Sequence, residues 1–333
     1  MSVTSAGRSG KASPVKIARA FIGLGVITAV YWMALIWVDS RNYVFRELPK
    51  LLAVMPVLAG MSLVSYLLRY VRWHWLLSRT GNKTPMVVGF LAYLAGFAFT
   101  ATPGKVGELV RIRYLAPLGV APWKVLAAFV YERAFDLIVV LLLAALVIEQ
   151  MEVFVAAFGF VLLFLAALIL VALNPSWVTT AGSYLRFHKF KRLAHICRTL
   201  RDGLTGCRQW LTPLDVAIAM VLGLLAWSVT SFSFVFLLQH LGVSIPVLSA
   251  LAIYPLAMLA GAASMMPGGV GSTEVTLVAL LAHFEVPLST ALLAAVGIRL
   301  TSLWFAITCG FVALGTLELR RNAKEHTANG YVA

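Results

Sequence analysis

Apolar residues gather into long runs separated by short basic stretches. A helix needs about 20 apolar residues to cross the ~30 Å hydrocarbon core of a bilayer. Six runs reach that length, at 18–38, 51–71, 123–148, 153–173, 212–238 and 288–316, and each predicts a membrane-spanning helix. Two further apolar stretches, 85–120 and 246–286, are interrupted near their middles by a Pro-Gly pair and by charge.

The polar residues between the runs set an orientation. Arg8, Lys11, Lys16 and Arg19 precede the first run, and Arg72, Arg79 and Lys83 follow the second. The loop 174–211 carries seven Lys and Arg against Asp202 alone, and Arg320, Arg321 and Lys324 follow the last run. Cytoplasmic loops collect Lys and Arg, so both termini and these loops are expected inside. Segment 85–120 must then begin and end inside, and segment 246–286 must begin and end outside. Each is a re-entrant hairpin or a pair of spans; hairpins are favoured because 104–120 is short and carries four charges. Broken backbone at membrane depth is tolerated where it is buried or lines a wet cavity.

Composition narrows the class. Of 333 residues, 61% are hydrophobic and 12% charged, with a mean hydropathy of +0.91. An average soluble domain has roughly 45–50% apolar and ~25% charged residues, so a soluble enzyme, a disordered chain and a secreted disulfide scaffold are all excluded. The net charge of +14 could suggest nucleic acid, but its concentration in inside loops accounts for it without one. Cys197, Cys207 and Cys309 form neither a disulfide framework nor a usual zinc spacing, and no metal or cofactor is expected. The run to Val38 is too long for a signal-peptide core and reads as a first span. Helically spaced Phe190, Leu193, Cys197, Leu200 and Leu204, with basic residues between, predict an amphipathic helix over 185–205 on the inner leaflet.

The two interrupted segments resemble each other. One reads Pro103-Gly104-Lys105-Val106-Gly107-Glu108; the other reads Pro267-Gly268-Gly269-Val270-Gly271-Ser272-Thr273-Glu274. From each Glu, 25 residues lead to an Arg inside the following span, Arg133 and Arg299. Entering from opposite sides, the segments would form an inverted repeat, about 85–173 and 246–316. Paired, Gly/Pro-interrupted segments of that kind point to a transporter's midplane binding site. Pro removes a backbone donor and Gly permits unusual dihedrals, while exposed amides at a tip suit an anion. Tight, buried turns with satisfied backbone would explain the same residues structurally.

Charges at membrane depth cost at least about 2.5–3.5 kcal/mol on insertion scales and so face the interior. Lys105, Arg133 and Arg299 with Gly104, Gly107, Gly268, Gly269 and Gly271 are candidates for binding phosphate, and Pro103 and Pro267 for the hairpin tips. Glu108, Glu132, Asp136 and Glu274 are candidates for charge pairing or proton coupling. Glu132 and Asp136 share a helical face beside Arg133, and a purely structural ion-pair cluster is the competing reading. Arg69 and Arg72 are expected to snorkel to the inner interface, and Arg111 and Arg113 to lie near the cytoplasmic mouth. Trp32, Trp37, Trp73, Trp75 and Trp123 fall near span ends, as interfacial aromatics do. Nucleotide-binding loops, HExxH and GxSxG motifs are absent from the sequence, so ATP-driven transport by this chain alone is not expected.

The segment Thr102–Glu108, the run Glu132-Arg133-Ala134-Phe135-Asp136 and Pro267–Gly271 with Glu274 resemble the lysylphosphatidylglycerol synthase transmembrane-region family. That family includes the flippase domain of the multiple peptide resistance factor. The resemblance covers about 50–316 and implies a bacterial or archaeal inner-membrane protein that moves, or helps to modify, lipid-linked substrates. The sequence ends soon after its last span, so the translocation role is carried over and lysyl transfer is not.

Together these readings predict an all-α integral membrane protein. A basic tail (1–17) precedes one polytopic domain (18–316) of six spans and two oppositely oriented re-entrant hairpins, and a second cytoplasmic tail (317–333) follows. The expected function is translocation of an anionic lipid or polyprenyl-phosphate-linked glycan precursor across the bacterial cytoplasmic membrane. A membrane glycosyl- or acyl-transferase using Glu108 or Glu274 as base, or a non-catalytic partner of an envelope-biosynthesis enzyme, are the alternatives.

Overall fold

The computed structural model describes residues 48–145 and 201–330, with positions 155, 158–163, 166 and 180. Expected span 18–38, more than half of 153–173, and most of the 185–205 helix lie outside the described residues. Among the described residues there is no strand; the regular structure is helical throughout.

Helix α1 (Leu48–Arg79) contains the expected span 51–71 and runs on through its basic end. Leu52, Val57, Leu63, Val64 and Leu67 are exposed along it, while Ser62, Ser65 and Arg72 are buried. Apolar side chains outward and polar groups inward is the arrangement a helix needs in lipid, where charge is costly and hydrocarbon is not. Short α2 (Met86–Phe97) leads through a 3₁₀ segment, Pro103–Val110, into α3 (Arg111–Leu115). Next comes α4 (Pro122–Ala144), opened by a Pro at its first helical position, where the missing N–H would be unpaired anyway.

After residue 201 a helical turn and a 3₁₀ turn, Cys207–Trp210, pack on α4. There Gly203 lies against Leu126, Gly206 lies against Trp123, and the Tyr131 hydroxyl donates to the Trp210 carbonyl at 2.9 Å. Helix α5 (Pro213–His240) matches the expected span 212–238; Thr212 caps it by accepting the Asp215 amide, and Pro213 follows. The second interrupted segment is α6 (Val247–Ala263), a Pro267–Gly269 turn and α7 (Ser272–His283). Helix α8 (Leu288–Arg299), a π turn at Leu300–Trp304 and α9 (Phe305–Gly330) then form one nearly continuous rod. It begins at the expected position and carries the helix beyond residue 316, where a tail was expected.

Both interrupted segments are therefore helix–break–helix units. At 1.5 Å per residue, the 12 residues of α2 rise about 18 Å and the 17 of α6 about 26 Å, each short of the hydrocarbon core.

The helices are tied by side chains that bond bare backbone. Ser65 Oγ donates to the Ala226 carbonyl between α1 and α5 at 3.0 Å. Ser62 Oγ and the Tyr66 hydroxyl donate to the carbonyls of Thr301 and Ser302 in the π turn, at 2.9 and 3.2 Å. A π turn disturbs the regular helical ladder, and α1 supplies two of the missing donors. Gly310 of α9 lies so close to Ala98, just beyond α2, that a Cβ there would collide with backbone. Trp73, expected at an interface, is instead fully buried beside Tyr70 and Tyr93. Its helix turns that face toward the aromatic core that α2 completes. Trp75 donates to Asp215 at 2.8 Å, fastening the start of α5 to α1.

Candidate functional site

Each Pro-Gly pair reverses the chain through left-handed backbone. In the first segment Gly104 has φ 61° and Lys105 φ 56°; in the second, Gly268 and Gly269 have φ 63° and 64°. Left-handed backbone is cheap for glycine and costs other residues of order 1–3 kcal/mol. Lys105 is thus held in an unfavourable conformation at the tip, where its amide donates to the Thr102 carbonyl at 2.8 Å. The tips meet: a Cβ on Gly268 would stand 3.4 Å from the Ala101 Cα.

Several tip amides are already occupied. Gly107 donates to Thr102 Oγ1 at 2.8 Å, and Gly271 donates to Glu274 Oε2 at 2.8 Å. The amides of Gly269 and Val270 close turns onto Met266 and Pro267. Gly107 has a packing role, since a Cβ there would lie 2.5 Å from Phe99 Cβ. Gly271 is the N-cap of α7, its amide held by Glu274 three residues on. Glycine side-chain space and backbone shape, more than free amides, are what these positions supply.

A buried ion-pair network surrounds the tips. Arg72 Nη2 meets Asp136 Oδ1 at 2.6 Å and Glu132 Oε1 at 3.2 Å. Arg69 Nη1 and Arg133 Nη2 both reach Asp136 Oδ2, at 3.0 and 3.1 Å. Glu132 also accepts from the Tyr93 hydroxyl at 2.6 Å. Glu108 accepts from Thr100 at 3.0 Å and from Arg111 at 3.0 Å. The Arg111 guanidinium lies 4.0 Å above the Tyr93 ring, and that of Arg69 4.5 Å from Trp227, favourable cation–π placements. Across the tips, Arg299 Nε donates to Glu274 at 2.9 Å and Nη2 to the Gly268 carbonyl at 2.6 Å.

Three expectations are corrected here. Arg69 and Arg72 do not snorkel; Arg72 is 1% exposed, turned inward to Glu132 and Asp136. Arg111 is not at a mouth but 1% exposed between Glu108 and Glu132. A carboxylate at 0% exposure, as Glu132 is, needs cationic partners, and these arginines provide them. Arg113 does sit toward an edge, paired with Glu318 of α9 at 3.0 Å. The clue in the sequence was positional: Arg72 lies two helical turns inside the basic end at Arg79, opposite unbalanced carboxylates.

Two adjoining cavities, about 100 and 220 Å³, share Lys105, Arg133, Trp227, Met258 and Gly268 in their walls. The smaller is the more polar of the two, with Arg69, Thr100, Glu108 and Arg299 in its lining. The larger is mostly apolar, walled by Leu137, Val140, Leu259, Met265 and Met266. Met265 and Met266 are also exposed, so the apolar cavity reaches the outside of the protein. Of the candidates, Lys105, Arg133, Arg299, Gly104, Gly268, Gly269, Glu108 and Asp136 line one or both cavities. Glu132 and Glu274 stand behind Arg133 and Arg299 as charge partners. Trp227 and Tyr254 also line the cavities and carried no signal in the sequence.

A family model described as the lysylphosphatidylglycerol synthase TM region matches residues 20–310. The chain is also similar to a UPF0104 membrane protein of Methanothermobacter thermautotrophicus, 28% identical over 264 residues, covering 73% of this chain and 77% of the relative.

Proposed function

The chain belongs to the lysylphosphatidylglycerol synthase transmembrane-region family, and from that premise we propose that it translocates a phosphate-bearing anionic lipid between leaflets. It is a multi-pass membrane protein tied to lipid handling. The observation that carries the proposal is the meeting of two broken segments at a cation-rich cavity with an apolar neighbour. An amphiphile needs that pair of environments: charge for its head and an apolar wall for its tail.

In this reading the two segments are inverted copies that enter as re-entrant hairpins from opposite faces, with the site near the midplane between them. Lys105, Arg133 and Arg299 engage the phosphate. Glu108, Glu132, Asp136 and Glu274 neutralise those cations when the site is empty, and exchange of partners accompanies substrate entry. The positive-inside pattern supports cytoplasmic termini and a location in the cytoplasmic membrane. The transferase alternative gains less support, because Glu108 and Glu274 each already accept two hydrogen bonds, one of them from a paired arginine. A general base must be able to reach the substrate proton.

The test is leaflet exchange of fluorescent anionic phospholipids and polyprenyl phosphates in proteoliposomes. Wild type is expected to exchange at least one of them, and Arg299→Ala to slow that exchange by about 100-fold, the loss typical of one charge-assisted contact worth ~2–3 kcal/mol. Absence of exchange by folded wild-type protein with every lipid, or unchanged exchange in Arg299→Ala, overturns the reading.

A further inference from the structure

The charge balance of the site points to a narrower class of headgroup. Six cations, Arg69, Arg72, Lys105, Arg111, Arg133 and Arg299, face four carboxylates, Glu108, Glu132, Asp136 and Glu274. The described network therefore carries two positive charges in excess. Lys105 is where the excess shows: its Nζ forms no ion pair or hydrogen bond among the described residues, whereas Arg133 keeps an ion pair to Asp136 and, like Arg72 and Arg111, only leaves a buried guanidinium nitrogen without a hydrogen-bond partner. Lys105 and Arg133 line both cavities.

We infer that the site is built for a lipid phosphomonoester, a bare phosphate on an apolar chain, in preference to a phosphodiester headgroup. This deepens the translocation reading and rests on it for biological meaning, though the binding it requires can be measured separately. A phosphomonoester has a second pKa near 6 and carries close to two negative charges at neutral pH. A phosphodiester carries one and leaves a cation uncompensated in a site of low dielectric, where an unpaired charge is costly.

Size is compatible. A cavity of about 150 Å³ accommodates a benzene ring of six heavy atoms, so the smaller cavity of about 100 Å³ has room for a five-atom phosphate group. The chain would continue into the adjoining 220 Å³ apolar cavity and leave past Met265 and Met266.

The experiment uses the full chain purified in neutral detergent at about pH 7, where the monoester is close to a dianion. Dodecyl phosphate and its methyl diester are titrated while tryptophan fluorescence is followed, since Trp227 lines both cavities. Wild type is expected to bind the monoester at least about tenfold more tightly. Lys105→Met should reduce that ratio to within about threefold, and Lys105→Arg should keep most of it, because only the conservative variant preserves the charge.

Equal affinity for the two lipids, tighter binding of the diester, or binding of neither overturns the inference, and none of these outcomes depends on a variant folding. A full preference in folded Lys105→Met also overturns it. Leaflet exchange measured in parallel separates the two ideas. Monoester preference without exchange upholds the site and sinks translocation; exchange without preference upholds translocation and sinks the site.

Discussion

Arg133 and Arg299 each follow the Glu of their Pro-Gly segment by 25 residues, yet they make different bonds. Arg299 closes on its own segment, at 2.9 Å to Glu274 and 2.6 Å to the Gly268 carbonyl. Arg133 turns to Asp136 at 3.1 Å on its own helix, and no N···O approach within 4 Å joins it to Glu108. The neighbours explain the difference. Helix α4 carries Glu132 and Asp136 beside Arg133, whereas α8 and the start of α9 offer Arg299 no other carboxylate before Glu318. Glu108 has Arg111 three residues on; the matching position after Glu274 is Leu277. A repeated motif thus conserves the shape of the turn while its surroundings choose the ion pair.

The largest effect should come from the first segment's shared network. Arg72→Ala strips the 2.6 Å ion pair from Asp136 and a second bond from Glu132, both buried. Breaking such a pair costs about 3–5 kcal/mol, so the melting temperature of the purified protein should fall sharply, or folded protein be lost. A variant melting like wild type would show that Arg69 and Arg133 suffice.

A double-mutant cycle on thermal stability tests the comparison directly. Arg299→Ala with Glu274→Ala should give a coupling of about 1.5–3 kcal/mol, as for residues in direct contact. Arg133→Ala with Glu108→Ala should give less than half of that. Equal couplings would mean that the pairs are equivalent despite their geometry.

The smallest change is expected at Lys105, which gives up no ion pair when replaced. Lys105→Met should alter stability by no more than about 1 kcal/mol, within the range of substitutions that break no buried contact, while affecting ligand binding as described above. A large loss of stability would place Lys105 in the structural network instead.

Much of this was readable from residues alone, for identifiable reasons. The runs 51–71, 123–148, 212–238 and 288–316 became helices at nearly those positions wherever the chain is described. Length and hydropathy suffice there, because a backbone in hydrocarbon must satisfy its own hydrogen bonds. The Pro-Gly breaks were equally local: Pro103 and Pro267 start tight turns, and Gly104, Gly268 and Gly269 take positive φ. The sequence therefore determined where the helices run and where they break.

Only the tertiary structure decided where those charges point. Arg72 could have reached outward to the interface, but α4 places Glu132 and Asp136 against its inward face, from residues 60 and 64 positions away. Arg111 was drawn under the Tyr93 ring in the same way. Such choices depend on the rotation of one helix against another and on which carboxylates arrive from distant parts of the chain. Local pattern carries neither, and so the inward turn of Arg69, Arg72 and Arg111, and the cavity left beside Lys105, exist only once the helices have packed.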